Sequence, residues 1–259
     1  MSSATVTQVG AIARRAVLRT SRQPASIIPP LIFPVALMAV NAGGLRASTN
    51  LPGFPTDSFL AFALAVPFIQ GALFSTMNAG TDIARDVQTG FVNRLSLTEL
   101  RDWALLTGQL AGIVVLGVVQ VVFYIAVGLT AGVRFESGPA GIAVLLVYGA
   151  IVALAFGALG AWLAYRTGSG EAIQALFPLF FVFLFMSSMN LPRNLIEIDW
   201  FRTVTTINPV SYLIEGIRSL IITGWDAQAL ALGFGLAGGI AAIALAAASV
   251  ALKGRLARS

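Results

Sequence analysis

Residues 81–95 read TDIARDVQTGFVNRL and place Asp82, Arg85, Asp86 and Arg94 close together. The 259-residue chain around them is only 10% charged and 57% hydrophobic, with a mean hydropathy of +0.86. A soluble domain interleaves roughly a quarter of charged residues among its apolar ones. Here the apolar residues gather instead into runs of twenty or more, each long enough to cross a bilayer core of about 30 Å as a helix. The runs are continuous rather than alternating, which selects helices over a barrel. The 81–95 stretch separates two of these runs, so the chain must turn back in water there. The sequence reads as all-α integral membrane, a single transmembrane domain over residues 1–259.

Six transmembrane helices are predicted. The first covers about 24–45, contains IIPPLIFPVALMAV (27–40) and is interrupted by Pro29, Pro30 and Pro34. Those prolines free backbone carbonyls that neighbouring helices must satisfy in lipid. The next three cover about 58–77, 103–133 and 139–165. The fifth is AIQALFPLFFVFLFMSSMN (172–190), and the sixth is the Ala- and Gly-rich stretch 227–252. With both termini cytoplasmic, eleven Lys and Arg residues flank the spans inside and five outside. That excess satisfies the positive-inside rule and puts 79–103 in the cytoplasm.

Two segments flank this bundle. In residues 1–23, Val6, Val9, Ala13, Ala16 and Val17 gather on one helical face and Arg15, Arg19 and Arg22 on the other. The pattern predicts an interfacial amphipathic helix with its arginines toward anionic lipid headgroups. Segment 191–226 is too polar to span, yet INPVSYLIEGIRSLI (207–221) is too apolar for a free loop. It predicts an outer re-entrant helical segment between spans five and six, with Glu215 and Arg218 three apart on one face and able to pair.

Several chemistries are excluded. The chain has no cysteine and no histidine, which removes thiolate nucleophiles, imidazole bases and metal ligation by those residues. Spans two, three, four and six carry no interior carboxylate, against proton coupling. No nucleophile-plus-base pair suggests an enzyme. A Walker loop needs Gly-Lys-Ser/Thr, and the sole lysine, Lys253, is preceded by Leu252 and followed by Gly254. The basic pI near 10.4 comes from arginines at the ends of apolar runs, a membrane-surface pattern rather than a nucleic-acid one. Gln70, Asn78, Gln109, Gln120 and Asn190 read first as interhelical hydrogen-bond partners. So do the small-residue ridges, Gly149–Ala153–Gly157–Ala161 and the pairs Gly108–Gly112, Gly128–Gly132 and Gly235–Gly239, which let helix backbones approach closely.

DVQTGFVNRLSLTELRDWALLTGQL (86–110) resembles the first cytoplasmic loop of type-2 ABC export permeases, nearest the daunorubicin-resistance-like branch. Asp86, Gly90, Arg94 and Leu95 match its D-x-x-x-G-x-x-x-R-L spacing. Asn208, Pro209, Tyr212, Glu215 and Arg218 match a second pattern that such permeases carry after span five. Glu99 stands near a position where the family often has proline. The resemblance implies a coupling helix resting on a cytoplasmic ATPase subunit, with Asp82, Arg85, Asp86, Gly90, Arg94, Leu95, Glu99 and Arg101 at that contact. A smaller contact would come from the second loop, RTGSGEA (166–172), through Arg166, Gly168, Gly170 and Glu171. It implies two ATPase copies and a second permease, identical or homologous. ATP and magnesium would sit on the partner, with no cofactor in this chain. The expected activity is export of a hydrophobic or amphiphilic substrate, drug-like natural product or lipid, across the cytoplasmic membrane. Polysaccharide or sodium export on the same fold, a cassette-independent secondary transporter and a membrane scaffold are the alternatives.

Overall fold

A computed structural model describes residues 3–96 and 102–257. The chain begins with α1 (Ser3–Ser21) and the proline-rich α2 (Pro24–Gly44). A short α3 (Phe59–Ala63) leads almost without interruption into α4 (Ala65–Gln88), and α5 (Phe91–Ser96) follows. The long helices α6 (Asp102–Thr130) and α7 (Gly138–Thr167) come next, then α8 (Gly170–Ala175) and α9 (Phe177–Phe185). After α10 (Asp199–Ile207) and α11 (Pro209–Arg218), a π-helical turn over Ser219–Thr223 precedes α12 (Ala227–Leu256). No strand occurs among the described residues.

Among the described residues, five helical stretches are long and apolar enough to cross a membrane: Ser26–Gly44, Phe59–Gln88, Ala104–Thr130, Gly138–Thr167 and Ala227–Leu256. The expected fifth span is the exception. Pro178 breaks it near its start, and the apolar stretch Gly170–Phe185 runs for only about 24 Å at 1.5 Å per residue. The second span is longer than expected. It does not stop at residue 77 but carries helix through Gln88, so Asp82, Arg85 and Asp86 form its last turns instead of a separate helix.

Helix α7 is the hub, packed against α12, α4 and α6. Close approach comes from its small residues. Gly149 receives Val121 of α6, Gly157 receives Ile113, and Ala153 faces Gly117. Gly160 meets the backbone of Thr76 on α4, where the Thr76 hydroxyl also donates to the Phe156 carbonyl at 2.9 Å. The ridge on α6 holds another helix: Ile12 and Ala16 of α1 sit on Gly108 and Gly112, and Gly128 takes Leu64. Away from the helix ends, α12 alone of the long spans α4, α6, α7 and α12 keeps glycines in open space among the described residues, at Gly235, Gly238 and Gly239.

Two of the carbonyls freed by the α2 prolines are served by side chains. Pro30 cannot donate to the Ser26 carbonyl one turn back, and that oxygen accepts Asn78 Nδ2 at 2.7 Å. Pro34 frees the Pro30 carbonyl in the same way, and the Tyr124 hydroxyl donates to it. Other polar residues inside the bundle also pair across helices, with Ser75 donating to Gln120 and Tyr165 to Gln109. Gln70 is fully buried with neither amide atom partnered. Tyr124→Phe is expected to lower stability by about 1–3 kcal/mol, the cost of an unserved buried carbonyl. Thermal unfolding in detergent reads it, and an unchanged midpoint would mean that the kink finds another donor.

Candidate functional site

Polar and charged residues concentrate at the two ends of the bundle. At one end, α4 finishes in a charge cluster closed by Gly90, whose φ of 67° only glycine adopts without strain. Asp86 is buried and faces inward. Arg15 of α1 grips both its oxygens at 3.1 Å, and Arg19 reaches it at 3.0 Å and Asp82 at 2.8 Å. The Arg15 guanidinium also lies 3.9 Å from the ring centre of Phe91. Two expectations change here. Arg15 and Arg19 turn toward carboxylates of the protein rather than toward headgroups, and Asp82 and Asp86 are held within the chain.

What remains outward is mainly basic. Arg85, Arg94 and Arg166 are exposed, as is Glu171 in the first turn of α8. Leu95 lies in α5, while Glu99 and Arg101 fall outside the described residues. The second loop is tied to the first: Gln88 Nε2 donates to the Gly168 carbonyl at 2.9 Å, across a turn where Gly168 has φ 67°. Arg255 of α12 donates to the Tyr165 carbonyl at 2.9 Å on the same turn. Ser169 caps α8, whose first residue is Gly170. Arg255 and Gln88 were absent from the sequence reading, because nothing local marks an arginine whose target lies ninety residues away. Asp86→Asn keeps the shape of the cluster and removes its charge. The expected result is a loss of about 1–3 kcal/mol and faster tryptic cleavage after Arg14 and Arg22. Unchanged cleavage would show that α1 is held by Gly108 and Gly112 alone.

At the opposite end, three residues of the 208–218 motif share a target with Ser211, which the motif does not include. Asn208, Ser211, Glu215 and Arg218 recur at intervals of three or four on one face of α11, and all engage the chain just past α9. Asn208 caps α11 through its Oδ1 and donates Nδ2 to the carbonyls of Phe183 and Met186, at 2.6 and 2.9 Å. The Ser188 amide donates to Ser211 Oγ, and the Ser188 hydroxyl to Glu215. Arg218 is buried over the Phe62 ring and donates to the carbonyls of Phe62, Ser188 and Met189 at 3.2, 3.0 and 3.1 Å. A helix end away from water must find such donors, and α11 supplies them for α9. Pro209 opens α11 at a position where its missing N–H costs nothing.

The expected Glu215–Arg218 pair does not form. Glu215 binds Arg193 instead, and Arg218 is drawn into the bundle by carbonyls. Tyr212 stands apart on the exposed side, its hydroxyl on the Thr206 carbonyl and its ring under Arg193. The spacing identified the face of α11 but not the competitor from residue 193.

The chain is 28% identical over 200 residues to the daunorubicin resistance ABC transporter permease protein DrrB1 of Streptomyces coeruleorubidus, covering 75% of this chain and 66% of that protein, or just under two thirds of its length. It is 26% identical over 229 residues to a putative transport permease, ycf38, of Porphyra purpurea, covering 85% and 76%. A model of the ABC-2 type transporter matches residues 7–222, from α1 through the π-helical turn. With apolar helices able to cross a membrane and both polar ends inside the matched region, this chain is a multi-pass membrane protein and belongs to the ABC-2 type transporter family.

Proposed function

We propose that the chain is the membrane-spanning subunit of an ATP-driven exporter, powered by a separate ATP-binding subunit. Two copies of each subunit would make the working unit, with the second permease identical or homologous and both termini cytoplasmic. Gly170–Phe185 would complete a six-span bundle as a short crossing whose outer end α11 plugs. The observation that carries the reading is the tied pair of loops at the α4 end. Gln88 joins the first loop to the second, so a push on either moves both. Arg85, Arg94 and Arg166 point outward there, while Asp82 and Asp86 are paired with Arg15 and Arg19 and Glu171 is the exposed acidic residue among them. The partner's docking surface is therefore expected to be acidic, a charge match that favours fast, reversible contact.

The substrate assignment rests on the other walls. Phe33 of α2, Phe74 of α4 and Phe177 and Phe181 of α9 form a continuous aromatic cluster. Phe33, Phe183 and Phe185 leave large parts of their rings exposed. Such a face suits a hydrophobic or amphiphilic substrate, drug-like or lipid, better than a hydrophilic glycan or an ion.

The test is purification of the tagged chain from its host in mild detergent. A stoichiometric ATPase subunit is expected to co-elute and to be lost on Arg94→Glu. Gly90→Val, which strains the φ 67° turn, is expected to leave assembly intact and to uncouple ATP hydrolysis from transport. A chain that elutes alone, well folded, would remove the partnership.

A further inference from the structure

The α11 end of the bundle contains a cavity of about 410 Å³ that the transport reading does not use. One wall is α11, with Glu215 and Arg218, and a second is the π-helical turn, with Ser219, Ile222 and Thr223. Arg193 closes a third side, and Asp226 stands at the exposed rim. π turns widen a helix and are frequent at functional sites. Here the turn is held open from outside. The amides of Glu136 and Ser137 donate to the carbonyls of Ile221 and Leu220, and the Ser137 hydroxyl also donates to Leu220.

The charges lining this cavity are unevenly compensated. Glu215 places one oxygen on Arg193 and the other on the Ser188 hydroxyl, so its charge is matched. Asp226 caps α12 with Oδ1, on the amides of Gln228 and Ala229. Arg218 is different. Its three bonds go to neutral carbonyls, and no carboxylate oxygen lies within ion-pair distance of it among the described residues. A guanidinium carries five N–H donors, so two remain after these three bonds, on a side chain that lines the cavity. A buried cation held by carbonyls and the Phe62 ring, with the neighbouring Glu215 committed to Arg193, is stabilised further by an anion. Around it, Phe62, Ile222, Pro55 and Pro192 supply apolar walls.

We propose that this cavity binds an organic anion, with a phosphate or carboxylate head between Arg218 and Arg193 and a short apolar body against Phe62 and Ile222. Such a head could belong to a lipid or to a soluble metabolite; the chemistry is shared. The site needs neither the ATPase partner nor ATP.

The experiment is isothermal titration of the purified full chain, in neutral detergent, with octyl phosphate, inorganic phosphate and octylammonium. Saturable binding of octyl phosphate is expected, weakened about tenfold or more by Arg193→Gln, which removes one charge-assisted donor. Arg193 is partly exposed, so this variant is expected to fold, and its thermal midpoint checks that. Asp226→Asn keeps the helix cap and removes the rim's negative charge, and it is expected to tighten octyl phosphate about two- to threefold. Inorganic phosphate binding as well as octyl phosphate would point to a soluble anion, and binding of octyl phosphate alone to an amphiphile. No saturable anion binding, or binding untouched by Arg193→Gln, overturns the proposal. Preferential binding of octylammonium, weakened by Asp226→Asn, overturns it in favour of a cation site.

Discussion

Replacing Arg218 with methionine is expected to cost about 3–5 kcal/mol, enough to prevent accumulation of the folded protein. The side chain lies buried and serves three carbonyls at once, on Phe62, Ser188 and Met189. Methionine fills much of the same volume, so the loss is not a cavity effect. It is the cost of leaving acceptors unserved where water is scarce, about 1–3 kcal/mol for each buried group. The consequence is concerted, because the three carbonyls belong to two different parts of the chain. Without Arg218, the end of α9 and the α3–α4 junction lose their common anchor. Arg218→Lys keeps the charge but offers no planar fork, and it is expected to recover only part of the loss. Thermal unfolding in detergent, with yield of monodisperse protein as a second readout, decides the matter. A methionine variant as stable as the parent would show that other donors reach these carbonyls.

Gly160→Ala is expected to be nearly as damaging, at about 3 kcal/mol, for a different reason. A methyl group at Gly160 would lie inside contact distance of the Thr76 carbonyl oxygen, which is backbone and cannot rotate away. Helices α4 and α7 must separate to admit it. That separation lengthens the Thr76–Phe156 hydrogen bond and loosens packing around Gly80, which faces Gly160 across the crossing. Overpacking of a tight core costs about 1–3 kcal/mol, and a weakened buried hydrogen bond adds about 1. Gly235→Ala on α12 is the control. Nothing lies within 4 Å of the added methyl, so the higher helix propensity of alanine is expected to leave stability unchanged or slightly raised. Equal effects of the two substitutions would show that the α4–α7 crossing has slack.

The sequence revealed the spans more readily than their ends. Hydropathy places Ala104–Thr130, Gly138–Thr167 and Ala227–Leu256 within a few residues, because runs of that length have no other stable home. The prolines at 30 and 34 correctly demanded donors, and Asn78 and Tyr124 answer. Span two was drawn too short, since charge was taken to end the helix. In fact Asp82 and Asp86 stay helical because α1 brings arginines to them. Span five was drawn too long, since hydropathy counts residues and not the caps that stop a helix. Those caps come from α11, more than twenty residues on. The ion pairs were the least legible part. Arg15 meets Asp86 across seventy-one positions, and Arg193 takes Glu215 from across twenty-two. Local spacing says which face a charge occupies; it does not say which distant charge arrives there.

The hold of Arg255 on the Tyr165 carbonyl bears on the order in which the protein is made. A chain inserted from its first helix onward completes the α1–α4 cluster as soon as α4 emerges, because both partners then exist. The turn after α7 has no such local partner. Its carbonyl must wait for α12, made well after α7, and so must the long α7 face that α12 covers. Of the two loops at this end, the turn after α7 is thus finished after the first. A nascent chain stalled before α12 holds one loop set and the other open, a form that a quality-control protease could tell from the finished protein.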